Sequence, residues 1–118
     1  LAAGKNLNEY CTSKVTNMEA MFASQFTFNQ DIRNWDVSNV TNMQEMFATS
    51  YSQDYFNQDI GNWDVSSVTN MIGMFYGAKS FSQDLSQWCV LNISSYPQLF
   101  AWNTAMVNSY LPVWGTCP

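Results

Sequence analysis

The sequence predicts an α/β protein, a right-handed solenoid of three to four repeats of about 25 residues, each a short helix followed by a short extended strand. Three observations lead there. Val15-Thr16-Asn17-Met18 returns as Val40-Thr41-Asn42-Met43 and as Val68-Thr69-Asn70-Met71. A Met-Phe pair follows each signature, at Met21-Phe22, Met46-Phe47 and Met74-Phe75. Each unit then runs through Phe28-Asn29-Gln30-Asp31-Ile32, Phe56-Asn57-Gln58-Asp59-Ile60 or the looser Phe81-Ser82-Gln83-Asp84-Leu85, and closes on Trp35-Asp36-Val37, Trp63-Asp64-Val65 or Trp88-Cys89-Val90.

The step is 25 residues from Val15 to Val40, 28 from Val40 to Val68 and 25 from Val68 to Ile93. The three extra residues of the middle step fall within Ala48 to Tyr55, where a surface loop can grow. A degenerate start stands at Ile93-Ser94-Ser95-Tyr96, with Leu99-Phe100 in the Met-Phe places. The chain thus divides into a lead-in and partial repeat over 1–14, three tandem repeats over 15–92, and a degenerate repeat with a C-terminal cap over 93–118, all one structural domain.

Within a repeat, Val40, Met43, Met46 and Phe47 fall at i, i+3, i+6 and i+7, one face of a short helix. Thr41 with Gln44, and Thr16 with Glu19, fit a capping box at its start; repeat 3 has Ile72 at that place and leaves the cap to Thr69. Phe-Asn-Gln-Asp-Ile alternates apolar and polar residues, as a strand does. Neither half can bury its apolar side alone, so the repeats must stack.

Charged residues are only 11% of the chain, so a soluble surface has to be made from Asn, Gln, Ser and Thr. The net charge of −5 and the lack of a basic cluster argue against nucleic acid and against an anionic membrane surface. No apolar run approaches the roughly 20 residues of a membrane span. Histidine, the commonest general base and metal ligand, is absent. No paired-cysteine metal motif, phosphate-cradling glycine loop or G-x-S-x-G appears, so neither an enzyme nor a cofactor is expected.

The pattern V-T-N-M-x-x-M-F…F-N-Q-D-I-x-N-W-D-V-S resembles the DUF285 or mycoplasma-lipoprotein type of surface repeat, related to BspA-like leucine-rich repeats. The resemblance runs from Tyr10 to about Phe100. It implies a leucine-rich-repeat-like coil and an extracellular or cell-surface place, in adhesion or in roles not yet described. It brings no catalytic residues.

Alignment of the repeats gives several candidate residues two readings. Asp31, Asp59 and Asp84 share one position, and Asp36 and Asp64 another. Stacked carboxylates about 4.8 Å apart could hold Ca²⁺ or act as an acid pair; alternatively each Asp closes a turn by accepting nearby backbone N–H groups. Asn17, Asn42 and Asn70 form either a structural amide ladder or a polar ligand strip, and Trp35, Trp63 and Trp88 either core or sugar-stacking platforms. Asn39-Val40-Thr41 and Asn92-Ile93-Ser94 are glycosylation acceptors at one repeat position, though the middle residue of each points into the core. Tyr51, Asp54 and Tyr55 give the insert the composition of a contact loop.

Cys11 and Cys89 occupy one repeat position three steps apart, roughly 14 Å at strand spacing, too far for a disulfide. Cys89 then pairs with Cys117 and clamps the tail, while Cys11 is left for a bond to another chain or for a reduced thiol. Leu1 to Asn8 supply no capping repeat and Leu1 is not Met, so removed or missing upstream sequence, or a second chain, is expected against the first repeat; Pro97, Pro112, Pro118, Trp102 and Trp114 are expected to seal the other end. The expected role is extracellular assembly or adhesion, in its sharper form as a head-to-tail protomer of a surface filament. The alternative is an adhesin-like module that binds host protein or glycan.

Overall fold

The computed structural model describes residue 7 and residues 10–118. The lead-in expected at Leu1 to Asn8 lies, Leu7 excepted, outside the described residues.

The chain moves by reverse turns. The Val40 N–H donates to the Val37 carbonyl at 2.9 Å and the Met46 N–H to the Met43 carbonyl at 3.2 Å, and Trp63 closes on Ile60 in the same way at 3.1 Å. Turns joined by i→i+3 bonds bring side chains inward about every third residue. That spacing is shared with a helix face, and it is why Val40, Met43, Met46 and Phe47 are all buried although no helix forms. A helix needs each N–H to reach back four residues. Here the N–H groups of Met18, Ala20, Phe22 and Ser24 donate instead to the carbonyls of Asn42, Gln44, Met46 and Ala48 in the next repeat, at 2.7–2.9 Å. Ala20 and Glu45 take φ of 55°, and Gly73 61°, the left-handed conformation that a type II turn requires at its third residue.

The strand is also absent. Among the described residues pairing is limited to isolated parallel bridges, Asn17 with Asn42 and Asn42 with Asn70. In the segments expected as strands, side chains take over the contacts a sheet would make. The Asn29 Oδ1 accepts the Asn57 N–H at 2.9 Å and the Asn57 Oδ1 accepts that of Ser82 at 2.9 Å, with the amides of Gln58 and Gln83 clamped onto the same oxygens. The regular helix found among the described residues is a single 3₁₀ turn, Asn108–Tyr110. The expected α/β, leucine-rich-repeat-like solenoid is therefore overturned. The chain is a body of turns and loops, 39 × 33 × 19 Å, in which consecutive repeats lie against one another.

Its core is a lattice of phenylalanines. Phe22 stacks on Phe28 at 4.0 Å, Phe47 on Phe56 at 4.0 Å and Phe75 on Phe81 at 4.1 Å, and the pairs stack on each other at 5.5–5.8 Å. Trp35, Trp63 and Trp88 are core and not sugar-stacking platforms. Their indole N–H groups reach back to carbonyls one repeat earlier: Trp35 to Leu7 at 2.8 Å, Trp63 to Ile32 at 3.2 Å and Trp88 to Ile60 at 3.0 Å.

The fourth repeat slips by one residue. Gly73, Phe75 and Gly77 donate to Gln98, Phe100 and Trp102, so Phe100 sits in the place of Met74 and Pro97 in that of Met71. Leu99-Phe100 is thus not the Met-Phe pair that sequence spacing suggests. The extra residue lies at Ser94–Ser95, before the buried Pro97. Phe100 meets Phe75 edge-on at 5.3 Å and ends the stacked column, and Trp114 covers it at 5.0 Å. Trp102, expected as part of this seal, is 53% exposed and stacks on Tyr76 instead.

Candidate functional site

The aligned acids close turns. Asp31, Asp59 and Asp84 each accept the backbone N–H two residues on, from Arg33, Gly61 and Ser86. Asp36 and Asp64 accept both the N–H and the hydroxyl of Ser38 and Ser66. The serine hydroxyls hold Asp36 and Asp84 below the ordinary carboxylate value. Asn17, Asn42 and Asn70 accept the N–H groups of Glu19, Gln44 and Ile72, the work the capping boxes were expected to do with Thr16, Thr41 and Thr69. Among the described residues, no three His, Cys, Asp or Glu side chains gather as a metal site requires.

The sequon side chains are already engaged. The Asn39 amide donates to the Ser13 carbonyl at 2.7 Å and the Asn92 amide to that of Ser66 at 2.9 Å. Those nitrogens are the atoms a glycan would occupy.

The insert is tied down rather than free. The Tyr55 N–H donates to Phe26, the Lys79 ammonium to the Tyr51 carbonyl and the Ser80 hydroxyl to the Asp54 carbonyl, while Tyr51 packs on Phe26 at 4.7 Å. Tyr51 and Tyr55 remain half exposed, as a contact loop needs. Asp54 does not: it is 7% exposed and accepts the Phe56 N–H, and burial pushes its carboxyl up.

Cys89 and Cys117 form a disulfide with Cα atoms 4.1 Å apart, and Cys11 is an exposed free thiol. Hydrogen bonding to Ser13 lowers its pKa, in the same turn that Asp36 makes with Ser38.

The two ends of the stack differ in a way the sequence did not reveal. In repeat 2 the carbonyls of Asn42, Gln44, Met46 and Ala48 accept from repeat 1. Their counterparts Asn17, Glu19, Met21 and Ala23 accept nothing among the described residues, and all four residues are exposed or half-buried. At the far end the groups without a partner among the described residues are donors, the N–H groups of Leu99 and Asn103. Between them the Ala101 N–H is taken by the Tyr96 hydroxyl at 3.2 Å. Acceptors at one end and donors at the other follow from the direction of this row of bonds, while Thr41 and Thr69 donate the opposite way, to Thr16 and Thr41. Only the observed register shows which atoms they are.

Turn-linked repeats held by a phenylalanine lattice and an asparagine ladder define a small repeat protein. The chain belongs to the family described as Mycoplasma protein of unknown function, DUF285, whose model matches residues 2–114. The match supports the DUF285 part of the resemblance alone. No curated protein and no solved structure matches the chain. No helix among the described residues is long and apolar enough to cross a membrane.

Proposed function

We propose that this is an extracellular structural protein that acts by assembly, its first repeat docking against the last repeat of a second chain. One observation carries the reading: the carbonyls of Asn17, Glu19, Met21 and Ala23, which accept nothing among the described residues, match in the register used inside the molecule the N–H groups of Leu99 and Asn103, which donate to nothing among them. Continuing that register sets Leu99 against Glu19 and Asn103 against Ala23. Unpaired backbone rows are templates for a further chain. A contact of first repeat to last repeat is heterologous and propagates unless it closes into a ring. The Cys89–Cys117 disulfide supports an oxidising, extracellular setting.

Cys11 does not propagate the assembly. With Cys89 and Cys117 bonded to each other, each chain has one thiol, so a bond between two Cys11 residues closes a pair. Sedimentation velocity over a range of concentrations tests the reading. Reversible oligomers that persist with reductant and disperse in Met21→Lys, which sets a charge on the open edge, are expected; a monomer at every concentration removes it.

A further inference from the structure

The structure assigns a second site, a groove across the repeats that takes a neutral sugar ring stacked on Tyr76; two of its lining residues, Ala23 and Leu99, also belong to the edges proposed for assembly. The bonds between repeats align Ala23, Ala48, Tyr76 and Trp102 in one column, because Ser24, Thr49 and Gly77 donate to the carbonyls of Ala48, Tyr76 and Trp102. In the last two repeats this column holds rings, Tyr76 on Trp102 at 5.0 Å and 16°. In the first two it holds methyl groups, and there a groove of about 340 Å³ opens. Tyr76, Ala48 and Ala23 all line it, so one face of the Tyr76 ring borders space in the direction in which the stack would continue. The volume falls in the range of roughly 300–1,000 Å³ for small-molecule sites.

The rim decides which ring. It carries the Glu45 carboxylate and the hydroxyls of Ser24 and Ser50 beside the apolar Ile72 and Leu99, and no lysine or arginine, while Thr49 is buried with its hydroxyl accepting the Tyr51 N–H. Gly73 leaves room for Glu45: a Cβ there would stand 3.2 Å from the Glu45 Cγ, so the carboxylate stem lies across the glycine. A pyranose offers an apolar C–H face to an aromatic ring and a belt of hydroxyls that donate to carboxylate and hydroxyl oxygens. An anionic sugar or a phosphate would meet Glu45 with no cation to offset it. A neutral saccharide satisfies both the ring and the rim.

The test is titration of the intact, disulfide-bonded protein with neutral gluco-, manno- and galacto-configured tetrasaccharides, followed by calorimetry and by the Tyr76 ring signals in NMR. At least one of them is expected to bind and to shift those signals. Tyr76→Ala should weaken binding at least tenfold. Ala48→Trp, which fills the slot with a protein ring, should abolish binding while Tm stays level or rises. Glu45→Gln should weaken binding and leave the fold unchanged. No binding by any of the tetrasaccharides, or binding that survives Ala48→Trp in a folded protein, overturns the assignment. Because Ala23 and Leu99 lie at the docking edges as well, the titration is run at a concentration where sedimentation shows monomer, so that its outcome is read apart from oligomer formation.

Discussion

Phe47 lies flat on Phe56 at 4.0 Å while also stacking on Phe22 at 5.6 Å and on Phe75 at 5.5 Å, so one ring ties three repeats together. It is 3% exposed. With almost no regular backbone ladder, this lattice and the bonds between repeats hold the fold. Phe47→Ala removes the central ring and leaves a cavity flanked by repeats that are themselves rigidly stacked. The expected loss is about 3–5 kcal/mol, read from urea denaturation. A loss below about 1 kcal/mol would show that the lattice is not the main stabilising element.

The left-handed residues supply a second prediction with two signs. Gly77 has φ of 72°, and a Cβ there would run into the Thr49 carbonyl oxygen that its repeat partner exposes. Gly77→Ala therefore meets both strain and collision, and Tm should fall sharply. Ala20 holds φ of 55° on an exposed turn with no need of its methyl group. Ala20→Gly relieves that strain and is expected to gain up to about 1 kcal/mol, offset in part by the greater freedom of glycine in the unfolded chain. Thermal unfolding of the two variants side by side checks both signs.

How much of this was legible in the sequence follows from what repetition does and does not encode. The buried set was legible: Val40, Met43, Met46, Phe47, Ile60, Trp63 and Val65 recur because each repeat must bury the same face. The backbone was not, because a three-residue apolar spacing serves a helix and a chain of reverse turns equally well. The deciding signal was local: Asn at 17, 42 and 70 closes an Asx turn, where a helix would prefer Thr at the cap with Glu or Gln beyond. Asn29 and Asn57 likewise looked like the polar half of a strand, when their side chains replace the carbonyls a strand would use. The one-residue slip at Ser94–Ser95 hid the column that brings Trp102 under Tyr76, since counting 25 residues aligns Tyr76 with Ala101. The pairing of Cys89 with Cys117 was reached through spacing on a solenoid that does not exist. The pairing needs only that repeats lie side by side, which turns achieve as well as strands.

That disulfide closes a loop spanning 28 residues and holds the tail against repeat 3, where Val90 and Thr116 also bond at 2.9 Å. Constraining the unfolded chain over such a loop contributes roughly 3–4 kcal/mol. Reduction, or the double change Cys89→Ser with Cys117→Ser, is expected to lower stability by about that amount and to loosen Trp114 from Phe100. Tryptophan fluorescence and urea denaturation report the two effects. Loss of stability without a change at Trp114 would place the tail's hold in the Val90–Thr116 contact instead.

The acid limb of the stability curve separates Asp54 from Asp36. Burial raises the Asp54 carboxyl above its ordinary value, against the Phe56 N–H and the Lys79 ammonium, which pull it down. The native state therefore holds more proton than the unfolded chain as pH climbs from the ordinary carboxylate range to the raised folded value. Stability falls across that window and stays lower above it. Asp36 runs the other way. The Ser38 hydroxyl lowers its folded value, so its contribution is full above the unfolded value and is lost as pH drops through the folded one. Asp54→Asn keeps an oxygen for the Phe56 N–H and removes the buried charge. Its Tm should exceed the parent's at neutral pH, with the gap closing in acid as the parent's carboxyl takes up its proton. Ser38→Ala should show the reverse, a lower Tm at neutral pH that merges with the parent in acid. Calorimetry across the acid range checks both, and an Asp54→Asn protein no more stable than the parent at neutral pH would mean that Lys79 compensates the buried charge in full.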